Sequence, residues 1–342
     1  MAVDQLVRDL LSEADQLDRV GRAPEAIEVL TAANRALPRA EVEARLVELR
    51  ADAFATLDRT HGRPEWPPPC PDPFPEVVGM PPEINRRDLT PDIVAGAMLH
   101  HGSLIVREVV GPAQLALLQG AIRNAFASRQ AYVDGTAGPD DAAWYTPYAR
   151  GRHHEAFGTA RFVRIIDSPR TLYLLLEIYR EAGLIDVLQE HLGERPALSA
   201  HKCALRCMTP EPAEESHDFH QDGSFMGADL RTVNVWLPLM DCGGDAPRAG
   251  LDLVPRRVDH ILETGVDGAI FDWTISESVV DRAAGGVGVV RPVFHAGDAM
   301  LFDQFMVHRT GLTPGMDQER MAVESWFFAP SAYPDDHVPL VV

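Results

Sequence analysis

The order of helical and strand patterns along this chain predicts an α+β fold. Apolar residues recur at helical spacing through the first sixty residues and again up to Leu192, whereas strands and turns alternate from Ala200 onward. Helices that come first and strands that follow are typical of α+β proteins rather than of alternating α/β proteins. With 342 residues, 46% of them hydrophobic, the chain is long enough for one large domain and an appendage.

The appendage is predicted to be a helical arm formed by residues 1–60. Small and apolar residues between Ala14 and Pro38 have the spacing of a single tetratricopeptide repeat, although a plain helical hairpin explains them equally well. One repeat cannot bury its own apolar faces. We therefore expect the arm to pack either on the main domain or on a second copy of the chain, which would make the protein a homo-oligomer.

Residues 61–87 are rich in proline, which predicts a stiff, extended linker. The main domain is then expected to span residues 88–342. Within it, helices are predicted at Asp92 to Met98, Ala113 to Ala127 and Thr171 to Leu192, with a strand at Ser103 to Val109. The long polar segment Tyr132 to Thr159 is predicted to be a lid, with an ordinary surface loop as the alternative.

Charge and composition exclude several classes of partner. The net charge of −20 argues against nucleic acid or an anionic membrane, and a small-molecule substrate is expected instead. No stretch approaches the ~20 apolar residues of a membrane span, and the first residues lack the apolar centre of a signal peptide. Four cysteines without metal-binding spacing suggest free thiols in a reducing compartment. These features predict a cytoplasmic protein.

The triplet His220-Gln221-Asp222 is the strongest chemical signal in the sequence. In an extended segment, side chains two residues apart point the same way, so His220 and Asp222 would face one metal ion. A distant histidine would complete a 2-His-1-carboxylate site, which leaves open positions on Fe(II). We expect that histidine to be His308, which follows the strand pattern Gly297 to Phe302 and opens a turn. His295 is the rival, but it precedes that strand.

From about residue 90 to 330, the sequence resembles the phytanoyl-CoA dioxygenase family of Fe(II)- and 2-oxoglutarate-dependent oxygenases. The segments that carry this resemblance, in the family's order, are HQD at His220 to Asp222, VNVWLPL at Val233 to Leu239, GLDLVP at Gly250 to Pro255, GDAMLF at Gly297 to Phe302, and HRT at His308 to Thr310 followed by Arg320. The resemblance implies a double-stranded β-helix, a cupin-like jelly roll, with helices packed on one sheet.

The resemblance also implies a role for individual residues. Fe(II) would be held by His220, Asp222 and His308, and O2 would take a remaining position. The distal carboxylate of 2-oxoglutarate would pair with Arg320, assisted by the Thr310 hydroxyl.

Other candidate residues lie on strands near this site. Trp236 would flank 2-oxoglutarate, and Thr232 and Asn234 share its face of a strand. Lys202, the single lysine, lies just upstream of the triplet and competes with Arg320 as the anchor of the cosubstrate.

The expected reaction is hydroxylation of an unactivated C–H bond in a small metabolite or natural-product intermediate, with release of succinate and CO2. Desaturation or ring chemistry uses the same site. Two other interpretations stay open: a redox-inert metal site, such as a zinc site, and a non-catalytic barrel that binds partners through its helical arm. Arg206, Arg231 and Arg248 favour an anionic substrate, but arginine is abundant in this chain and does not identify one.

Overall fold

A large mixed sheet occupies the centre of the protein. The computed structural model describes residues 2–60, 66–148, 162–200, 202–211, 219–334 and 337–342. Most helices precede most strands, as the sequence predicts, although the first three strands lie between helices. The helices are α1 (Ala2–Arg19), α2 (Ala23–Ala36), α3 (Ala40–Ala53), α4 (Pro91–His101), α5 (Pro112–Val133), α6 (Pro169–Glu181), α7 (Leu184–Leu192), α8 (Gly223–Met226) and α9 (Glu277–Ala284). The strands are β1 (Glu83–Asn85), β2 (Ser103–Arg107), β3 (Phe162–Arg164), β4 (Ala197–Ser199), β5 (Ala204–Met208), β6 (Thr232–Pro238), β7 (Cys242–Gly243), β8 (Gly250–Leu253), β9 (Val293–Phe294), β10 (Ala299–Phe302), β11 (His308–Gly311), β12 (Arg320–Phe328) and β13 (Pro339–Val341).

Strand β12 is the centre of the sheet, whose order is β1-β2-β10-β6-β12-β4-β13. One edge of β12 pairs with β6 over its length, and the other pairs first with β5 and then with β4. β3 adds to the outer edge of β5. All these pairs are antiparallel except β1 with β2, which is parallel. The register sets Arg320 opposite Met208 and Glu324 opposite Trp236.

The two faces of this sheet pack against different layers. Side chains such as Val233, Val235 and Val323 join the apolar cluster that α4, α5, α6 and α7 cover. Trp236, Ala322 and their neighbours point the other way, because adjacent side chains in a strand alternate between faces.

A second layer of short strands faces the side of the sheet that carries Trp236 and Ala322. β8 pairs with β11, and β7 pairs with β9, both antiparallel. Leu251, Leu253 and Phe294 from these strands share one apolar cluster with Trp236 and Phe302 from the large sheet. Two layers of strands therefore enclose an interior, and the main helices lie outside the larger layer.

The helical arm packs on the body of the same chain. α1, α2 and α3 form an apolar cluster that includes Val341 of β13, and the Arg50 guanidinium donates to the Val341 carbonyl over 2.8 Å. Arg170 of α6 pairs with the buried Glu43 carboxylate of α3. The sequence left two partners open for the arm, the main domain and a second copy of the chain. In this structure the arm packs on the main domain.

Two segments differ from the sequence-based expectation, and a third is described only in part. The sheet begins at Glu83, five residues before the predicted domain start, because Pro82 and the residues after it reach the edge of β2. α5 continues to Val133, where Tyr132 meets the Tyr145 ring edge-on with centroids 5.5 Å apart. Of the predicted lid, residues 149–159 lie outside the described part of the chain, so the lid stays a prediction.

Among the described residues, no helix is both long enough and apolar enough to cross a membrane. The four cysteines are free thiols.

Candidate metal centre

Three predicted ligands converge inside the protein. One side-chain ligand atom from each of His220, Asp222 and His308 lies within 4.8 Å of the others. The Asp222 carboxylate is 3.7 Å from His220 Nε2 through one oxygen and 4.0 Å from His308 Nε2 through the other. These distances exceed those of hydrogen bonds, so the three groups approach one another without bonding together. Such spacing suits a metal ion between them.

Backbone pairing brings the two histidines together. The His220 amide donates to the His308 carbonyl over 2.9 Å, and the His308 amide donates back over 3.0 Å. His308 therefore begins β11 and pairs with Leu253 on its other side. The sequence-based prediction that His308 opens a turn was wrong, because β8 provides a partner strand that the local sequence does not reveal.

Asp222 is also not in extended structure. Its φ of −63° and ψ of −28° are helical, and it forms the N-cap of α8. The expected strand alternation of His220 and Asp222 is thus incorrect, although both side chains reach the same point. Gly223 allows this turn, because a Cβ there would lie 2.5 Å from Ile261 Cδ1 and 3.1 Å from the Gln304 carbonyl oxygen.

Gln221, between the two ligands, fixes the local backbone. Its fully buried side chain donates to the carbonyls of His260 and Phe305 and accepts from the Leu262 amide. Three segments that are distant in sequence are tied together by this one amide. This role of Gln221 was not predicted, and its position inside the triplet is the only signal of it in the sequence.

Burial acts on the protonation of two of the candidate ligands, His308 and Asp222, in different ways. His308 Nδ1 lies 3.0 Å from the Met306 carbonyl, which favours a proton on Nδ1 and leaves Nε2 as the ligand atom. Burial lowers the pKa of His308, favouring the neutral ring. Burial raises the pKa of Asp222 well above its usual value, while Lys202 opposes that shift. A divalent cation would stabilise the carboxylate in the same way.

Asn234 lies beside the carboxylate ligand. Its side chain lowers the pKa of the Asp222 carboxyl, while one carboxylate oxygen, Asp222 Oδ2, is buried and has no hydrogen-bond partner. A buried acceptor without a partner is costly, and a metal ion would satisfy it. The two imidazoles, the carboxylate and its unpartnered oxygen therefore fit a bound cation.

Arg320 lies deeper in the same interior, at the start of β12. It is only 3% exposed. Its Nη1 atom donates to the carbonyls of Ala249 and Gly250, over 3.3 and 3.5 Å. Arg320 Nε has no hydrogen-bond partner. No carboxylate in the described part of the chain forms an ion pair with it, and burial lowers its pKa. A buried guanidinium of this kind is a site for an anionic ligand.

The remaining predicted cosubstrate residues fall into two groups. Trp236 lies under the Arg320 guanidinium, with 5.6 Å between that group and the ring centroid. Thr310 shares a face of β11 with His308 and pairs with Leu251, beside the Gly250 carbonyl that Arg320 contacts. Both therefore lie between the metal ligands and the arginine.

Thr232 and Lys202 are placed differently. The buried Thr232 hydroxyl donates to the Phe327 carbonyl over 2.8 Å, so the sheet itself uses it. Lys202 lies at the other side of the metal ligands, with Nζ 3.9 Å from the centroid of the Phe225 ring. The rival histidine, His295, is 72% exposed and not part of the cluster.

A further ion pair lines the same interior and was not predicted. Arg206 of β5 makes two hydrogen bonds to the Glu324 carboxylate of β12, at 3.0 and 2.9 Å. Arg206 also lies over the Phe162 ring.

Comparison with known proteins gives matches in structure only. No protein-family model matches the sequence, and no curated protein matches it significantly. EctD from S. alaskensis, solved with 2-oxoglutarate and 5-hydroxyectoine, is 19% identical over 72% of this chain and 79% of that chain, with a TM-score of 0.51. The same protein with bound Fe is 18% identical over 73% of this chain and 81% of that chain, with a TM-score of 0.50.

A weaker match is SnoK, described as a non-heme alpha ketoglutarate dependent carbocyclase from nogalamycin biosynthesis. It is 15% identical over 72% of this chain and 87% of that chain, with a TM-score of 0.46. At these identities the likeness concerns the fold. The chain therefore shares the fold of EctD, a protein whose solved structures contain iron or 2-oxoglutarate.

Proposed function

We propose that this protein is an Fe(II)- and 2-oxoglutarate-dependent oxygenase that hydroxylates a small molecule. One observation carries the proposal: the cluster of His220, Asp222 and His308, of which the last two are buried, shares its interior with the buried guanidinium of Arg320. That guanidinium has no carboxylate partner among the described residues. Iron would bind the cluster, and the distal carboxylate of 2-oxoglutarate would pair with Arg320. The fold shared with EctD supports this assignment.

In this assignment, each residue has a defined task. His220, Asp222 and His308 would hold the metal from one side and leave the other positions open, as in a facial triad. Asn234 would help to keep the Asp222 carboxylate in its binding orientation. Iron and 2-oxoglutarate, when bound, supply the oxidation, in which O2 is consumed and succinate, CO2 and the hydroxylated product form. The chain contributes position, charge and exclusion of water.

The phytanoyl-CoA dioxygenase family is the specific relationship that we propose, and the order of the HQD, GDAMLF and HRT segments supports it. We propose the closed double-stranded β-helix on the same grounds, together with the two facing layers of strands. The division into an arm at 1–60, a connecting segment and a catalytic domain is likewise a proposal.

The test is the conversion of 2-oxoglutarate to succinate by the purified protein with Fe(II), ascorbate and O2. Even without the natural substrate, we expect slow succinate formation that stops when Zn²⁺ replaces Fe(II). The Asp222→Ala variant should be inactive. If the protein binds metal but forms no succinate with any metal, the interpretation as a redox-inert metal site holds. If it binds neither metal nor 2-oxoglutarate, the non-catalytic interpretation holds.

A further inference from the structure

The ion pair of Arg206 and Glu324 has no task in the metal centre or in cosubstrate binding. Arg206 of β5 donates through Nε and Nη2 to the two carboxylate oxygens of Glu324 in β12, over 3.0 and 2.9 Å. Phe162 of β3 lies directly across from Arg206, with its ring centroid 5.2 Å from the guanidinium carbon. A bidentate contact together with an aromatic ring fixes the plane of the guanidinium.

The pair faces the space between the two layers of strands. β12 is paired along both edges, and Glu324 lies between Ala204 and Trp236, which are both buried. Glu324 keeps 23% of its side chain exposed, and Arg206 keeps 34%. Because the strand and its neighbours on this face are covered, the exposed parts of the pair face the interior rather than the outer surface.

The pair is also close to the metal ligands and to Arg320. Besides burial, which has the larger effect, the Glu324 carboxylate contributes to the raised pKa of Asp222. Burial lowers the pKa of His308 and that of Arg320, and the same carboxylate partly offsets both shifts. Since Coulomb interactions weaken with distance, Glu324 lies within reach of both parts of the proposed reaction centre.

Stability alone gives little reason for a charged pair at this place. Two charges that leave water lose solvation that their mutual attraction barely restores, and apolar side chains of similar size often stabilise a protein as well. A pair that is kept inside the protein and still accessible therefore suggests a ligand. Its position beside the metal ligands suggests that this ligand is the substrate.

The unused groups of the pair indicate what it can bind. Two N–H groups of Arg206 serve Glu324, and the remaining ones have no acceptor in the described part of the chain. Each oxygen of the Glu324 carboxylate accepts one bond from Arg206 and can accept another. The pair thus offers the interior a donor side by side with an acceptor.

These groups favour a ligand without net charge. An anion would be attracted by Arg206 and repelled by Glu324, and a cation would experience the reverse. A group that offers an acceptor to Arg206 and a donor to Glu324 gains both charge-assisted bonds. In the sequence, Arg206 suggested an anionic substrate, but the charge of Arg206 is balanced by Glu324 in the folded protein.

We infer that the Arg206–Glu324 pair binds the substrate, and that the substrate presents to it an uncharged group with an acceptor beside a donor, as in a carboxamide or a lactam. The inference rests on the proposed function, because it takes the neighbouring metal centre as the place of reaction. The pair would hold the amide-type group while the rest of the molecule extends toward the metal. A fixed anchor of this kind positions a C–H bond for oxidation.

Three probes of nearly equal shape and different charge test this inference: benzamide, benzoate and benzamidinium. The full-length protein, with Fe(II) and saturating 2-oxoglutarate under nitrogen, is titrated by calorimetry with each probe. Saturating 2-oxoglutarate keeps benzoate away from Arg320. We expect benzamide to bind roughly tenfold more tightly than either ion, because each ion gives up one charge-assisted bond and meets a like charge.

Variants that remove one charge should change the preferred probe. Glu324→Gln leaves the charge of Arg206 unbalanced and should favour benzoate, whereas Arg206→Gln should favour benzamidinium. The double variant Arg206→Gln/Glu324→Gln should bind the three probes with similar affinity, and it decides the matter if a single variant fails to fold. Arg35→Gln, which breaks a bidentate pair with Glu177 between α2 and α6, is the matched control and should change nothing.

The outcomes separate this inference from the proposed function. A preference of the wild-type protein for either ion, equal binding of all three probes, or no binding of any would overturn the inference. An unchanged order of affinities in the variants would also overturn it and, together with a lower melting temperature, would show that the pair only joins β5 to β12. Absence of succinate formation would contradict the proposed function, whatever the probes show.

Discussion

His220 and His308 exchange both of their backbone hydrogen bonds, at 2.9 and 3.0 Å, and their rings lie 4.4 Å apart. This pairing brings together two of the three ligands of the proposed metal centre, although they are far apart in the chain. Because the backbone fixes the separation of the rings, their approach does not depend on the side chains alone.

His308 is expected to be essential for metal binding. The change His308→Ala removes a buried ligand and should weaken Fe(II) binding by more than the roughly 10–100-fold that loss of an outer partner costs. Succinate formation should stop. The affinity for Fe(II) is measured by calorimetric titration under anaerobic conditions. His295→Ala is the control and should behave as the wild type, because His295 is exposed; the reverse pattern would reassign the ligand.

Arg320 is expected to be the main anchor of 2-oxoglutarate. Removing one partner of a buried, charged hydrogen-bonded pair costs about 2–5 kcal/mol. Arg320→Ala should therefore raise the 2-oxoglutarate concentration needed for half-maximal turnover by roughly 30-fold or more, using ~1.4 kcal/mol per tenfold change. Metal affinity should change little, since Arg320 is not a ligand.

Lys202→Ala provides the comparison for this experiment. We expect its 2-oxoglutarate requirement to stay close to that of the wild type, because Lys202 lies on the Phe225 side of the metal ligands. Both variants are titrated with saturating iron. If the lysine variant loses affinity for 2-oxoglutarate and the arginine variant does not, the anchor is Lys202.

Asn234 is expected to act on the metal through Asp222. Asn234→Ala removes the side chain that lowers the pKa of the Asp222 carboxyl, and loss of such a partner of a metal ligand typically weakens metal binding about 10–100-fold. Thr232→Val, two residues away on β6, is the matched control. It removes a hydrogen bond to the Phe327 carbonyl and should lower the free energy of unfolding by about 1 kcal/mol without changing metal affinity. Equal metal affinities in both variants would contradict the role given to Asn234.

Gln221 is expected to stabilise both the fold and the metal centre. Gln221→Glu keeps the size of the side chain but sets a carboxylate against the carbonyls of His260 and Phe305. Roughly 1–3 kcal/mol of stability is lost for each buried group left unpaired. Urea unfolding and Fe(II) titration should both show a defect. Gln119→Glu, which affects a single bond from α5 to the Leu239 carbonyl, should leave metal binding unchanged.

The arm is expected to be part of the fold of the main domain. Its apolar cluster includes Val341, and Arg170 pairs with the buried Glu43. A chain that starts at Trp66 should aggregate, because apolar surface of α6 and β13 would be exposed. Size-exclusion chromatography measures this. A soluble, unchanged and fully active truncated protein would contradict the prediction.

A single substitution tests the same contact more gently. Arg170→Ala leaves the Glu43 carboxylate buried with only Asn34 nearby, and should lower the free energy of unfolding by about 1–3 kcal/mol. Arg22→Ala, which breaks the exposed pair with Glu25, should produce no measurable change in urea unfolding. Equal effects of the two substitutions would argue against a stabilising interface.

Local patterns along the chain were enough to predict the α+β class, the two faces of β6 and the identity of the three clustered groups. Those features depend on local periodicity and on residue types with distinctive chemistry, both of which can be read along the chain. Three features became visible in the folded protein alone: His308 lies in a strand, Asp222 caps a helix and Gln221 joins three segments. Each of these depends on a partner far away in sequence, such as Leu253 or Phe305, and local propensity contains no information about such partners. The buried state of Arg320 belongs to the same class, because it is the packing of two layers of strands, not the arginine's neighbours in sequence, that removes its guanidinium from water.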